Sequence, residues 1–157
     1  MTREEKFMHE AVLAGLEGIH TNQGGPFGCV VVKDDEIVGR GCNRVLASTD
    51  PTAHAEVEAI REACKNLGSF QLTGCELYTT CEPCPMCLGA IYWARPDKVY
   101  YACDKNDAAE AGFDDSFIYA EIDKPHHHRK IAMQPMNKEE AQELFGAWKN
   151  KNNKTLY

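Results

Sequence analysis

Cys84 and Cys87 stand three residues apart in the stretch Thr79-Thr80-Cys81-Glu82-Pro83-Cys84-Pro85-Met86-Cys87. At the first turn of a helix that spacing puts both sulfurs on one side, near the helix's positive end, where the metal-binding thiolate is favoured. Pro85 suits such a first turn, and Leu88, Ile91 and Tyr92 continue an apolar helix expected to begin at about Cys84. His54 is the natural third ligand, because a neutral imidazole and two thiolates suit zinc. Glu56 lies two positions beyond His54, so the pair shares no lateral helix face and converges only by reaching over a helix N-terminus. Asp50-Pro51-Thr52 supplies that start, with a capping side chain and an N1-type proline. Two helix N-termini are therefore expected to face each other across one zinc ion.

Three protein ligands leave zinc an open position for water, whose pKa the metal lowers toward about 7. A carboxylate beside that water can take its proton and pass it to a leaving group, which is the use the pattern assigns to Glu56. A histidine-x-glutamate segment joined to proline-cysteine-x-x-cysteine is the signature of the zinc-dependent nucleobase deaminases. Two plainer uses compete: a redox dithiol, and a closed structural site with Cys81 as a fourth ligand. Redox use needs neither His54 nor Glu56. A closed site needs Cys81 to fold back across Glu82 and Pro83, so the open site is preferred and Cys81 is read as a strand-end residue.

Several elements must position these groups. Residues 3 to about 20 carry Met8, Val12, Gly15, Leu16 and Ile19 at helical spacing, a stripe expected to face the core, with His9 and His20 on the surface. Phe27 to Val32 reads as a buried strand, Lys33-Asp34-Asp35-Glu36 as a hairpin turn, and Ile37 to Asn43 as the returning strand. Asn43, at that strand's end, has both a donor and an acceptor for a base edge, although a turn-forming role is commoner for such a residue. Ala53 to about Asn66 continues as a helix that Gly68 ends, and Glu76 to Thr80 is a strand leading into the cysteine helix. Lys98 to Cys103 is the next strand, and strand, helix, strand in that order implies parallel pairing. Beyond it, 108–119 reads as a loop with a short helix, His126-His127-His128 as an exposed turn, Ile131-Ala132-Met133 as a fifth strand, and Asn137 as the start of a last helix. Ala141, Leu144, Phe145 and Trp148 give that helix an apolar face. The expected architecture is α/β: a three-layer α/β/α sandwich with a five-stranded mixed sheet.

At 157 residues, with 43% hydrophobic and 26% charged residues, the chain suits one globular domain spanning 1–157. The eight cysteines include five inside apolar or element-like stretches, where a free thiol acts as a small hydrophobe. No secretion signal or membrane span is evident, so a reducing cytoplasm is expected. The formal net charge of −7 lacks the basic footprint of a nucleic-acid binder and favours a small substrate. Residues 149–157 are polar yet end in Leu156-Tyr157, which reads either as a frayed end or as an arm that docks on a pocket or a partner subunit.

Beyond the zinc motif, Gly25-Pro26-Phe27-Gly28, Asp50 to Glu56, Cys84 to Arg95 and Ala111 to Tyr119 together resemble the bacterial guanine deaminases of the cytidine-deaminase-like superfamily. Tyr92-Trp93-Ala94-Arg95 and Gly112-Phe113-Asp114-Asp115 narrow the resemblance to the guanine branch. The resemblance implies hydrolysis of guanine to xanthine and ammonia, with one zinc per subunit held by His54, Cys84 and Cys87, and with Glu56 as proton shuttle. It implies that Phe27 packs on the purine, Asn43 bonds its edge, Ala55 also contacts it, and Trp93 walls the pocket. Asp115 would assist proton transfer or recognise the substrate, and Tyr157 would close the neighbouring subunit's site in an arm-exchanged homodimer. Alternative activities are a tRNA adenosine deaminase and deamination of guanosine or another ring; from a different class comes a non-catalytic module stabilised by structural zinc. The triplet His126, His127 and His128 receives no role.

Overall fold

The computed structural model describes Met1–Tyr157. The chain forms two compact units, Met1–Asp115 and Ser116–Tyr157. In the first, helix α1 (Arg3–His20) leads to strands β1 (Gly28–Lys33) and β2 (Glu36–Cys42), a one-turn helix α2 (Val45–Ser48), helix α3 (Ala55–Leu67), strand β3 (Cys75–Cys81), helix α4 (Pro85–Ala94), strand β4 (Lys98–Cys103) and helix α5 (Lys105–Glu110). The sheet order is β2-β1-β3-β4, with β1 antiparallel to both neighbours and β3 parallel to β4. The parallel pair brackets α4, as the strand-helix-strand order predicts.

Alternation along the strands sends side chains to two helical layers. Cys29, Val31 and Leu77 pack with Ala55, Ala59 and Ala63 of α3 and with Ile91 and Ala94 of α4. Val30, Val32 and Tyr78 face the other way, onto Ala11 of α1 with Phe7 and Met8 beside it. Full burial of a side chain such as Leu77 contributes roughly 1.5–3 kcal/mol. The helices are pressed close: a Cβ on Gly28 would stand 1.9 Å from the Ala11 carbonyl oxygen, and one on Gly41 would stand 2.4 Å from that of Ala55.

That close approach changes the reading of α1. Its buried positions are Ala11, Ala14, Gly15 and Gly18, whereas Val12, Leu16 and Ile19 of the expected core stripe are exposed. Small residues let the helix backbone lie against β1, and a stripe of larger side chains would hold it off.

The second unit holds α6 (Ser116–Ile122), a single 3₁₀ turn over His126–His128 and α7 (Lys138–Asn150). The sheet has four strands, not five: Ile131-Ala132-Met133 is not a strand, and Ile131 is 81% exposed. Three apolar residues bury too little to hold a strand in place, and Pro135 just beyond lacks a ladder donor. The three histidines are exposed.

Candidate active site

The metal-ligand residues stand at two helix starts, one reached from β2 through α2 and the other directly from β3. His54 is the N-cap of α3 and Cys84 the N-cap of α4, and neither side chain caps its own helix. Pro85 occupies the first turn of α4, as expected. Helix α3 begins later than Asp50-Pro51-Thr52 suggests. Asp50 Oδ1 instead accepts from Thr52 N at 2.8 Å and from its hydroxyl at 2.7 Å, closing a local turn that delivers His54 to the cap position.

The His54 Nδ1 atom lies 3.5 Å from Cys84 Sγ and 3.4 Å from Cys87 Sγ, and the three donor atoms all lie within 4.8 Å of one another. A tetrahedral zinc, with bonds of about 2.1 Å to nitrogen and 2.3 Å to sulfur, separates neighbouring donors by about 3.6 Å. The donor set and its spacing fit that ion. Cys81 is outside the cluster: it is the last residue of β3, and its thiol points to the Asp104 carbonyl at 3.6 Å. Burial pushes that thiol up to about 11.

The cluster is electrostatically primed. A hydrogen bond from Cys87, helped by His54, draws the Cys84 thiol down to about 4, so it is a thiolate at neutral pH. The bond to Cys84 raises the His54 imidazole, and the same sulfur pair raises Cys87. Glu56, in the first turn of α3, is 6% exposed, and burial raises its carboxyl above the ordinary glutamate range. Its Oε1 accepts from the Thr79 hydroxyl at 3.2 Å. A buried carboxyl with a raised pKa beside a metal site is suited both to take and to return a proton.

The remaining candidates divide. Asn43 is buried at the end of β2, and its Oδ1 accepts from the backbone amides of Gly25 at 3.2 Å and Val45 at 3.1 Å. The turn-forming reading holds, and the amide nitrogen is the remaining donor of the side chain. Phe27 meets Phe113 edge to face at 5.1 Å, above Gly25. Asp115, two residues past Phe113, feels the negative charge of Cys84, Asp114 and Glu82, but burial is the main cause of its raised pKa. Ala55 is the first residue of α3, and its methyl is buried in the core. Trp93 lies near the far end of α4, about 12 Å along the axis from the Pro85 end, and is 65% exposed. Tyr157 ends the second unit and is exposed.

Two contacts of the candidate residues involve partners the sequence does not mark: Thr79 against Glu56, and Phe113 against Phe27. Thr79 meets Glu56 across 23 residues of sequence, and a threonine in a strand carries no local sign of such a partner. Phe113 could have been suspected from its place in the Gly112-Phe113-Asp114-Asp115 stretch.

The profile of the cytidine and deoxycytidylate deaminase zinc-binding region matches residues 1–103. The chain is 58% identical over 153 residues to guanine deaminase of Bacillus subtilis, covering 98% of each. The crystal structure of that enzyme superposes with a TM-score of 0.95 over 98% of both chains. A tRNA-specific adenosine deaminase of Aquifex aeolicus is 39% identical over 121 residues, 76% of this chain and 77% of that one. The structure of guanine deaminase from Nitrosomonas europaea matches at 31% identity and a TM-score of 0.66, over 69% of this chain and 63% of that one.

Proposed function

Because the chain belongs to the family of the cytidine and deoxycytidylate deaminase zinc-binding region, we infer that it is a zinc-dependent guanine deaminase, a hydrolase converting guanine to xanthine and ammonia. The observation that carries this reading is the 58% identity to a guanine deaminase over 98% of both chains, well beyond the zinc motif. The tRNA-specific relative shares less identity over a shorter stretch. A net charge of −7 also suits a small base better than a polynucleotide.

His54, Cys84 and Cys87 would hold the zinc, whose Lewis acidity would lower the pKa of a water toward about 7. Glu56 takes a proton from the attacking water and returns it to the ring nitrogen next to carbon 2. A second transfer through Glu56 protonates the amino group, which leaves as ammonia while the new carbon–oxygen bond becomes the carbonyl of xanthine. The raised pKa of Glu56 supports this use, because a strongly acidic carboxyl would not accept the proton. Phe27, with Phe113 against it, offers an apolar wall to the purine; Asn43 offers an amide donor and Ala55 a backbone group at a helix start. Asp115, whose pKa is also raised, is suited to exchange a proton with the base or to bond its edge. A place for Trp93 in the pocket wall rests on the resemblance to guanine deaminases alone, because it stands exposed at the far end of α4 from the metal ligands.

The reading extends to one deaminase domain over 1–157, acting in the cytoplasm as a homodimer. Residues 149–157 pass to the partner, where Tyr157 closes the site. The exposed apolar end, Leu156 at 74% and Tyr157 at 70%, supports a docking role for the arm. Eight free cysteines suit a reducing compartment, and no helix is long and apolar enough to cross a membrane.

The test is xanthine formation from guanine by the zinc-loaded protein and by its Glu56→Gln variant. The wild type forms xanthine; the variant keeps one zinc per chain and loses about 10²- to 10⁴-fold in kcat. Full activity in the variant would remove Glu56 from the reaction.

A further inference from the structure

Three polar side chains are classed as buried in this chain: Asn43, Glu56 and Thr79. Asn43 is held by two backbone amides, and Glu56 is the proton shuttle of the reading above. Thr79 is 1% exposed, the most deeply buried of the three. It lies in β3, paired with Cys29 of β1 and Tyr101 of β4, two residues after Leu77 and on the same face of the sheet toward α3. Valine has the same shape and favours strands equally well, so the sheet itself does not need a hydroxyl here. A buried hydroxyl without partners is costly, and this one has two: Glu56 Oε1 and the carbonyl oxygen of Cys81, each at 3.2 Å.

We propose that Thr79 is a positioning residue for Glu56, its hydroxyl holding one carboxyl oxygen so that the other faces the reacting water. The proposal rests on Glu56 being the proton shuttle. The Glu56 carboxyl also meets its own backbone amide and Cys87, and the Thr79 hydroxyl adds a contact from the central strand β3. A misplacement of about 1 Å at such a group can cost on the order of 10²-fold in rate. The same hydroxyl lies 3.2 Å from the Cys81 carbonyl oxygen, a second contact that keeps it within β3.

The experiment compares wild type with Thr79→Val, Thr79→Ser and Thr79→Ala, measuring kcat and KM for guanine, zinc content and thermal stability. The expected result for Thr79→Val is a loss of about tenfold or more in kcat, with KM within about twofold and zinc retained. Thr79→Ser keeps the hydroxyl and is expected to stay within about threefold of wild-type kcat even where its lost methyl lowers stability. Thr79→Ala shares that packing loss without the hydroxyl, so the serine variant should exceed it by about tenfold. This pair decides the matter even if the valine variant fails to fold. Equal kcat for serine and alanine, or an unimpaired valine variant, overturns the proposal. A wild type that makes no xanthine removes the parent reading and this one with it, a result distinct from an active wild type with an unimpaired variant.

Discussion

Two sulfurs and an imidazole nitrogen drawn into one coordination sphere must settle where their protons go. Cys84 gives its proton up, its thiol drawn down to about 4 by the bonds from Cys87 and His54. Cys87 is shifted far upward and holds its proton, and the bond to Cys84 also shifts His54 upward. Zinc has to displace these protons, so its binding competes with hydrogen ions. A raised pKa means that the protonated form persists to higher pH, and affinity therefore falls as pH falls. Titration against a chromogenic chelator between pH 8 and pH 6 should show the apparent zinc Kd rising by about tenfold per pH unit for each proton displaced. A Kd that stays flat over that window would contradict this proton count. These ligands and Glu56 were legible in the sequence because their chemistry is tied to short local spacings, two residues for His54 and Glu56 and three for the cysteines. The contacts of Thr79 with Glu56, and of Phe113 with Phe27, join residues far apart in the chain and became visible only with the fold.

Helix α1 shows what periodicity can and cannot convey. The pattern of apolar residues located the helix, and Thr2 closes its start with a capping box. The face it presents to the sheet follows from a different requirement, the close approach of two backbones at Gly15 and Gly28. Adding a methyl at Gly28 sets it against the Ala11 carbonyl, which cannot yield as a flexible side chain would. Gly28→Ala should therefore destabilise the protein by about 1–3 kcal/mol in denaturant unfolding. Gly89, in α4, has open space where its Cβ would stand, so Gly89→Ala should stabilise by about 0.5–1 kcal/mol. Equal effects of the two changes would show that packing at α1 is looser than described. The absence of the expected fifth strand has a related cause. Three apolar residues look like a short strand in isolation, but a strand is held by its neighbours and by ladder donors, which a sequence pattern does not display.

For the assembled protein, the reading makes the arm a shared part of the active site, and two inactive variants can test that. Glu56→Gln disables the shuttle of its own subunit, and Tyr157→Ala disables the lid that it gives to its partner. Mixed dimers then contain one site with both residues intact. Dissociating and remixing equal amounts should restore about a quarter of wild-type activity, because half the dimers are mixed and each has one good site. If Tyr157 serves its own subunit, remixing restores nothing. The acidic balance of the whole chain was legible from composition, whereas the proposed exchange of the arm depends on an assembly that this remixing experiment tests.

The most direct test is ammonia release by the zinc-loaded protein offered guanine, guanosine, adenine, cytosine, cytidine and tRNA in parallel. Release from guanine, matched by an equal amount of xanthine and exceeding that from every other substrate, is the predicted result. Release from tRNA alone, or none from any substrate with zinc fully bound, would contradict it.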